Sequence, residues 1–318
     1  MTDGQKVLKA KSKGKGRFLR ELKQNKILFI MLIPALLYFF INNYLPIIGI
    51  YFAFTRFSFS GGLFGSPFVG MENFRFLWES GKLSMLTINT VGYNIAFILT
   101  SNFMQILCAI LLSRIGNKYF KKTTQSIMFL PYFVSYVILN VIVYNLFNYD
   151  VGFINGVLRS MGSAPFDAYN NPGIWRFLMV IFYLWKQIGY GTVIYLATIT
   201  SISPELYEAA EIDGANVFQQ IRYITIPLLV PTFITLLLFS LGGIMKGQFD
   251  LFYQVIGNNG VLYDVTDIMD TFVYRSLKQD FDIGMSTAAG LYQSVFGFIV
   301  IMVTNTLIKR GHPEQALF

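Results

Sequence analysis

Six long apolar segments divide this chain, and they constrain its fold more than any other feature. A helix that crosses the hydrocarbon core of a bilayer needs about 20 mostly apolar residues, and each segment reaches that length. In chain order, the segments are Ile27–Phe54, Met85–Ser113, Ile127–Phe147, Phe177–Thr200, Pro227–Lys246 and Met285–Ile308. The pattern predicts an all-α integral membrane protein with six transmembrane helices.

The charge content agrees with a lipid-facing protein and argues against nucleic-acid binding. Only 13% of the residues are charged, about half of what a soluble domain carries. The net charge of +8 could indicate a nucleic-acid partner, but the basic residues cluster at the ends of the apolar segments and do not cover a folded polar surface. We therefore expect no nucleic-acid partner.

The basic residues also predict the orientation in the membrane. They concentrate in the N-terminal tail, in the loop with Arg114 and Lys118, and at Lys309 and Arg310. Positively charged loops stay in the cytoplasm, which requires an even number of spans and both termini inside. The predicted organisation is a basic cytoplasmic tail (residues 1–26), a transmembrane domain (27–310) with a cytoplasmic loop (201–227), and a C-terminal cytoplasmic tail (311–318).

The N-terminal region admits two further readings. The first apolar segment follows a basic tail, as in a signal peptide, but it is too long and lacks a small-residue cleavage site. It is predicted to be a retained span. The tail itself is typical of a disordered segment that lies along anionic membrane lipids.

No residue set predicts catalysis or a bound metal. Cys108, the one cysteine, lies inside an apolar segment and His312 near the C-terminus, so a disulfide within the chain is impossible and a zinc site is not expected. The chain has no carboxylate pair, no Ser/His/Asp set and no phosphate-binding glycine loop. We expect no enzyme activity, no metal and no cofactor in this chain.

The loop between the fourth and fifth apolar segments has a defined local structure. Ser203 can cap a helix, Pro204 suits the first helical position, and Glu205 favours the positive end of the helix dipole. Gly214 permits a left-handed turn. A second short helix is expected to end near residue 222, and Pro227 is expected to open the fifth span. The sequence thus predicts a helix–turn–helix elbow on the membrane surface.

This elbow resembles the signature of permease subunits of ABC importers: Glu-Ala-Ala, three residues, Gly, nine residues, Ile-x-Leu-Pro. The matching residues are Glu208, Ala209, Ala210, Gly214, Ile224, Ile226 (in place of Leu) and Pro227. Asp213 and Ala215 beside Gly214, with Gly70 to Phe74, Asn89-Thr90 and Leu130-Pro131-Tyr132, are similar to the carbohydrate (MalF-like) branch. Trp185 to Tyr190 and Gly242 to Gly247 resemble the polysaccharide permeases of the LplB group.

The resemblance implies a role for the elbow. Glu208, Ala209, Ala210, Asp213, Gly214 and Ala215 would dock into a cleft of a cytoplasmic ATPase and move when two ATPases close on nucleotide. The alternative is an ordinary amphipathic surface helix with solvated acids. The spacing, the predicted topology and Pro227 favour docking.

The resemblance also implies the partners. The chain would be a multi-pass subunit in the cell membrane of a prokaryote, paired with a second, non-identical permease. Two ATPase subunits would carry ATP and Mg²⁺, and an extracellular oligosaccharide-binding (lipo)protein would deliver cargo to the outer loops.

Polar residues inside the spans are the candidates for the substrate pathway. In the fourth span Tyr183, Lys186, Gln187 and Tyr190 share one helical face, and in the fifth span Ser240 and Gly243 share another. Related sugar permeases use this region, but the same residues could hold helices together. Lys186 predicts either an acidic sugar or a structural partner in a neighbouring subunit.

Other possibilities remain open from the sequence. The stripe of Asn94, Ser101 and Gln105 in the second span is interpreted as packing, because nothing connects it to the elbow. A secondary, ion-coupled transporter would need acids inside its spans, whereas the acids here lie in loops. An ABC permease for a solute other than a sugar is a further alternative.

Overall fold

The computed structural model describes residues 24–311. Within this range the chain is helical apart from turns, loops and one isolated β-bridge between Thr55 and Phe68. The α-helices are α1 Lys26–Phe39, α2 Gly62–Gly65, α3 Glu72–Glu79, α4 Lys82–Ser113, α5 Lys118–Phe129, α6 Tyr136–Phe147, α7 Phe153–Ser160, α8 Pro172–Thr200, α9 Pro204–Ile212, α10 Val217–Gln220, α11 Ile226–Gly242, α12 Phe249–Ile256, α13 Tyr263–Thr266, α14 Met269–Lys278 and α15 Ile283–Gly311. Most of the predicted N-terminal tail, and His312 with the residues after it, lie outside the described part.

Five helical stretches are long and apolar enough to cross a membrane, and a bent pair can supply a sixth crossing. The five stretches are Lys26–Phe54, Lys82–Ser113, Pro172–Thr200, Val217–Gly242 and Ile283–Arg310. Each overlaps one of the predicted segments, and the all-α integral membrane fold is confirmed.

The described residues divide into two compact units, 24–51 and 52–311. In the described part of the first unit, α1 continues into a π-helical turn, Phe40–Tyr44, and then into the 3₁₀ segment that begins at Leu45. Pro34 lies inside α1. A proline inside a helix removes one backbone hydrogen bond, a loss that membrane-spanning helices tolerate.

In the second unit, the most extensive helix pairing joins α4 to α8. Aromatic residues of both helices, including Tyr93, Phe97 and Trp175, form a buried core with α6 and α12. The Trp175 indole, completely buried, donates a hydrogen bond of 2.7 Å to the carbonyl of Ala168. This pairing fixes the relative position of the second and fourth spans.

The third apolar segment forms two helices that meet at a bend, whereas the sequence predicted one spanning helix over Ile127–Phe147. Helix α5, with the 3₁₀ turn Leu130–Phe133, meets α6 at an angle of 95°. Pro131 lacks a backbone N–H, and the Ser135 side chain caps the start of α6 by accepting from the Ile138 amide. Hydropathy records the apolar composition of such a segment but not its direction, so the bend was not predicted from the sequence.

A glycine lets α8 pass very close to this bend. A Cβ atom on Gly189 would lie 2.1 Å from the backbone oxygen of Met128, at the end of α5. Backbone cannot move aside as a flexible side chain can, so only glycine fits at this crossing.

The fifth span also differs from the prediction at both ends. Helix α10 runs through the π-helical turn Ile221–Thr225 directly into α11, so Pro227 does not open a separate span. A π turn shifts the hydrogen-bond pattern by one residue, which accommodates the missing proline donor. At the other end α11 stops at Gly242, and the backbone from 243 to 248 is not regularly helical.

Side chains of other helices hold this non-helical segment in place. The Asn94 amide donates to the carbonyls of Ile244 and Lys246, at 2.9 and 3.2 Å. The Gln293 amide donates to the carbonyl of Met245 at 2.6 Å. Irregular backbone at membrane depth persists only where such partners, or a water-filled cavity, satisfy its polar groups.

Two aspartates of the loop after the fifth span serve the fold. Asp267, 4% exposed, forms an ion pair with Arg275, and the Arg275 guanidinium lies 4.0 Å from the centre of the Tyr263 ring. Burial raises the pKa of the Asp267 carboxyl, and the charge of Arg275 opposes that shift. Asp270 accepts from the amide of Gly247 at 2.6 Å. These two acids are therefore engaged inside the molecule.

Candidate functional site

The elbow has the predicted two-helix form. Pro204 is the first residue of α9, and Ser203 stands at the N-cap position, although its side chain makes no capping hydrogen bond, contrary to expectation. Gly214 has φ = +79°, and the amide of Ala215 donates to the carbonyl of Ala210 at 2.8 Å. This is the left-handed helix ending that a glycine favours.

The second elbow helix begins with a reciprocal cap. The Asn216 side chain accepts from the amide of Gln219 at 3.0 Å, and the Gln219 side chain accepts from the amide of Asn216 at 2.7 Å. Such a capping box fixes the direction in which a helix starts. Because α10 continues into α11, the turn of the elbow is joined rigidly to the fifth span.

The predicted docking residues lie on the surface of the elbow. Glu208, Ala209, Asp213 and Gly214 are exposed, and Ala210 and Ala215 are partly buried. The sequence analysis missed two apolar neighbours: Ile212 is 88% exposed and Phe218 is 83% exposed. Both side chains add apolar area to the exposed surface of the elbow, and their place on either side of Gly214 was the signal available in the sequence.

Arg114, at the end of the second span, connects that span to the elbow. Its guanidinium donates to the Gln220 side chain at 3.0 Å and lies 5.4 Å from the centre of the Tyr207 ring. The Tyr207 hydroxyl and the Thr225 hydroxyl are 3.0 Å apart. The sequence analysis counted Arg114 only as a loop charge. In the structure it ties α4 to both arms of the elbow, so displacement of the elbow would reach α4 as well as α11.

A cavity of about 620 Å³ lies between α4, α8, α11 and the segment after α11. It is flanked by the middle turns of α4 and α8, far from either end of these helices. Five of the six predicted pathway residues line it: Tyr183, Gln187, Tyr190, Ser240 and Gly243. Their common location could not be derived from the sequence, because it depends on how three helices cross.

The sixth, Lys186, is turned away from the cavity. It is 7% exposed and donates to the carbonyls of Tyr132, at 2.7 Å, and Val134. Its ammonium also lies 4.9 Å from the centre of the Tyr136 ring. Of the two roles predicted for Lys186, this geometry favours the structural one, with the partner inside the same chain and not in a neighbouring subunit.

The two cavity tyrosines are held by ring stacking. Tyr183 stacks on Phe97 with 4.0 Å between ring centres and 20° between planes. Tyr190 stacks on Tyr132 at 5.1 Å and 14°. Stacking restricts each ring to one orientation, so the cavity presents fixed aromatic surfaces.

The polar stripe of α4 lines the same cavity. The packing interpretation fits Gln105, whose amide donates to the Gln187 carbonyl at 3.1 Å and fills the space left by the absent Cβ of Gly191. It fits less well for Ser101, because within residues 24–311 the Ser101 hydroxyl is a buried side-chain group with no hydrogen-bond partner. The interpretation missed that these residues face α8 and α11.

Comparison with known proteins identifies the family. Residues 101–311 match the binding-protein-dependent transport system inner membrane component family, a range that holds the elbow and nearly all of the cavity wall. The chain belongs to this family. Its members are transport permeases, so the resemblance noted in the sequence is confirmed.

Two relatives and one solved structure illustrate the similarity. The polygalacturonan/rhamnogalacturonan transport system permease protein YteP of Bacillus subtilis is 32% identical over 96% of this chain and 94% of its own length. Protein LplB of the same organism is 32% identical over 95% and 94%. A chain from the crystal structure of a bacterial ABC transporter involved in import of the acidic polysaccharide alginate superposes with a TM-score of 0.84, at 30% identity, over 92% of this chain and 99% of that one. The similarity thus covers nearly the whole chain.

Proposed function

We propose that this protein is one of two non-identical permease subunits of an ABC importer for oligosaccharides or polysaccharide fragments. The observation that carries the proposal is the continuous connection between an exposed elbow and a polar cavity. Helix α8 joins the cavity directly to α9, and α11 joins it directly to α10. The relatives that transport polygalacturonan, rhamnogalacturonan or alginate support a saccharide as the cargo.

In this proposal the elbow docks on a cytoplasmic ATPase. Glu208, Ala209, Ala210, Asp213, Gly214 and Ala215 form the contact, with Ile212 and Phe218 adding apolar area. Two ATPase subunits bind ATP and Mg²⁺, and this chain binds no cofactor itself. Both termini and the elbow lie in the cytoplasm, as the distribution of Lys and Arg indicates. With the bent pair counted as one crossing, six spans satisfy this arrangement.

The substrate pathway is the cavity. Stacked Tyr183 and Tyr190 offer ring faces for the apolar faces of sugars, while Gln187 and Ser240 can exchange hydrogen bonds with hydroxyls. Gly243 leaves the wall open beside them. Closure of the ATPases would move both arms of the elbow together, and the anchor at Arg114 would carry the motion to α4, so all three cavity helices would shift.

Delivery from outside falls to an oligosaccharide-binding (lipo)protein. The family description, binding-protein-dependent transport, supports a partner of this kind, as does the alginate importer solved in complex with its pentasaccharide-bound periplasmic protein. The outer loops are the proposed docking surface for this binding protein. Asp267 is not part of that surface because it is buried.

The test is co-purification followed by uptake. The chain, co-expressed with its partner permease and ATPases, is expected to retain the ATPases and to support ATP-dependent accumulation of oligosaccharides in proteoliposomes. Glu208→Arg plus Gly214→Trp is expected to abolish both. The matched control for retention of the ATPases is Glu79→Arg plus Gly162→Trp, which changes an exposed glutamate and a glycine with φ = +73° outside the elbow. The proposal fails if the elbow variant retains its ATPases as the control does and transports at the wild-type level.

A further inference from the structure

One cavity residue is not explained by packing. Lys246, on the non-helical segment after α11, is exposed and lines the cavity. Among the residues of the described chain that line this cavity it is the one with a charge, and no aspartate or glutamate accompanies it. The ammonium forms no ion pair within residues 24–311. A lysine that faces a cavity between membrane-spanning helices without an ion-pair partner suggests a function.

The backbone around Lys246 is fixed while its side chain remains available. The Lys246 carbonyl accepts from Asn94, and the Gly247 amide donates to Asp270. Asp270 also accepts from Gln293 at 3.1 Å. The carboxylate of Asp270 thus accepts from a backbone amide and a side-chain amide, and within residues 24–311 it forms no ion pair with Lys246. The backbone from which the Lys246 side chain extends is therefore held in place by the protein, while its ammonium can move to meet a ligand.

The contrast with Lys186 is informative. Lys186 directs its ammonium to backbone carbonyls and is buried. Lys246 has no such partners and borders an open volume of about 620 Å³. The two lysines therefore have different roles, and only Lys246 can meet a soluble anion in this cavity.

We propose that Lys246 binds the carboxylate of a uronic acid unit, so that the cavity accepts acidic oligosaccharides in preference to neutral ones. This inference rests on the proposed importer function. The remaining wall is suited to a sugar: the Ser101 hydroxyl is more than nine-tenths buried and has no partner, and the amides and tyrosines supply neutral hydrogen-bonding groups. A carboxylate on the ligand would pair with the positive charge of Lys246. A charge-assisted hydrogen bond of this kind is among the stronger polar contacts.

The experiment uses the complete importer in proteoliposomes with its binding protein. Short oligogalacturonates and oligomannuronates serve as acidic probes, and their methyl esters, which have the same chain without the charge, serve as neutral probes. Lys246→Gln is expected to lower uptake of the acidic probes about tenfold at subsaturating concentration while leaving ester uptake unchanged. Lys246→Arg keeps the charge and is expected to retain most of the preference. Lys118→Gln removes an exposed lysine outside the cavity and outside the outer loops, and it is the matched control.

The ratio of acidic to neutral uptake decides the outcome, because the binding protein is identical in every reaction. An unchanged ratio in Lys246→Gln would overturn the inference, as would a wild-type complex that imports no acidic probe in preference to its ester. Folding is controlled by the yield of assembled complex with bound ATPases, and a variant that assembles poorly is replaced by Lys246→Met. Failure of the importer proposal itself has a different signature, since no ATPase would co-purify and neither probe class would accumulate.

Discussion

The ammonium group of Lys186 donates a hydrogen bond of 2.7 Å to the carbonyl oxygen of Tyr132, at the bend where the third span turns by 95°. A helix end leaves carbonyls without intrahelical partners, and within a bilayer water cannot supply them. Lys186 therefore supplies the hydrogen-bond donor that the carbonyls at the bend lack. One side chain of the fourth span holds the break of the third.

This contact predicts that Lys186→Met destabilises the protein more than it alters transport. Two carbonyls lose their donor, at about 1–3 kcal/mol for each unsatisfied group. Thermal unfolding of the purified complex is expected to shift downward, while the KM for oligosaccharide uptake stays within about twofold, a change worth under 1 kcal/mol. Lys186→Arg is expected to recover part of the stability. A raised KM at unchanged stability would instead assign Lys186 to the substrate.

The turn at Gly214 predicts a ranked series of substitutions. A non-glycine residue with φ near +79° costs about 1–2 kcal/mol, less for asparagine, which visits the left-handed region more readily. Retention of the ATPases is expected to fall in the order wild type, Gly214→Asn, Gly214→Ala. Gly116→Ala, at a glycine with open space and no positive φ, is the control and should behave as wild type. Equal retention in all variants would contradict the requirement for this turn.

The anchor between Arg114 and Gln220 predicts energetic coupling between two spans. Arg114→Ala and Gln220→Ala each remove one side of the same hydrogen bond. A double-mutant cycle on thermal stability should therefore give an interaction free energy of at least about 0.5 kcal/mol, and each single variant should hydrolyse ATP with reduced transport. Lys118→Ala, at a neighbouring exposed lysine, is the control for loss of loop charge. Additive effects would show that the anchor does not act as a unit.

Loss of the buried ion pair between Asp267 and Arg275 is expected to lower the free energy of unfolding far more than loss of a surface pair. Arg275→Met leaves a buried carboxylate unpaired and should cost about 3–5 kcal/mol. Arg56→Met, in the exposed pair with Glu72, should cost less than about 1 kcal/mol. Chemical denaturation of both variants measures the difference. Similar costs would contradict the buried character of the first pair.

The same variant has a predicted pH dependence. Burial already raises the pKa of Asp267 above its ordinary value, and loss of Arg275 removes the charge that opposes this shift. A folded state that binds the proton more tightly than the unfolded state loses stability as pH rises from the unfolded-state pKa of the carboxyl to its higher folded-state pKa. It regains that stability as pH falls through the same range. The destabilisation by Arg275→Met is therefore expected to shrink at acidic pH. A defect that grows with acidity would refute this assignment.

Local sequence determined the elements that depend on short-range chemistry. The apolar segments required membrane-spanning helices, Pro204 and Gly214 defined the start and the turn of the elbow, and the spacing from Glu208 to Pro227 indicated the family. Each of these follows from the length of an apolar run, from a missing donor or from an allowed dihedral angle, and none needs a distant residue.

Tertiary structure decided what depends on helix crossings. The bend of the third span, the separation of Lys186 from Tyr183 and Tyr190, and the anchoring role of Arg114 all involve residues far apart in the chain. Helical periodicity places side chains on a face, but it does not say which neighbour that face meets. For that reason Lys186 appeared in the sequence as part of the pathway stripe, while the cavity's exposed cation proved to be Lys246, on backbone that the sequence had assigned to a continuous helix.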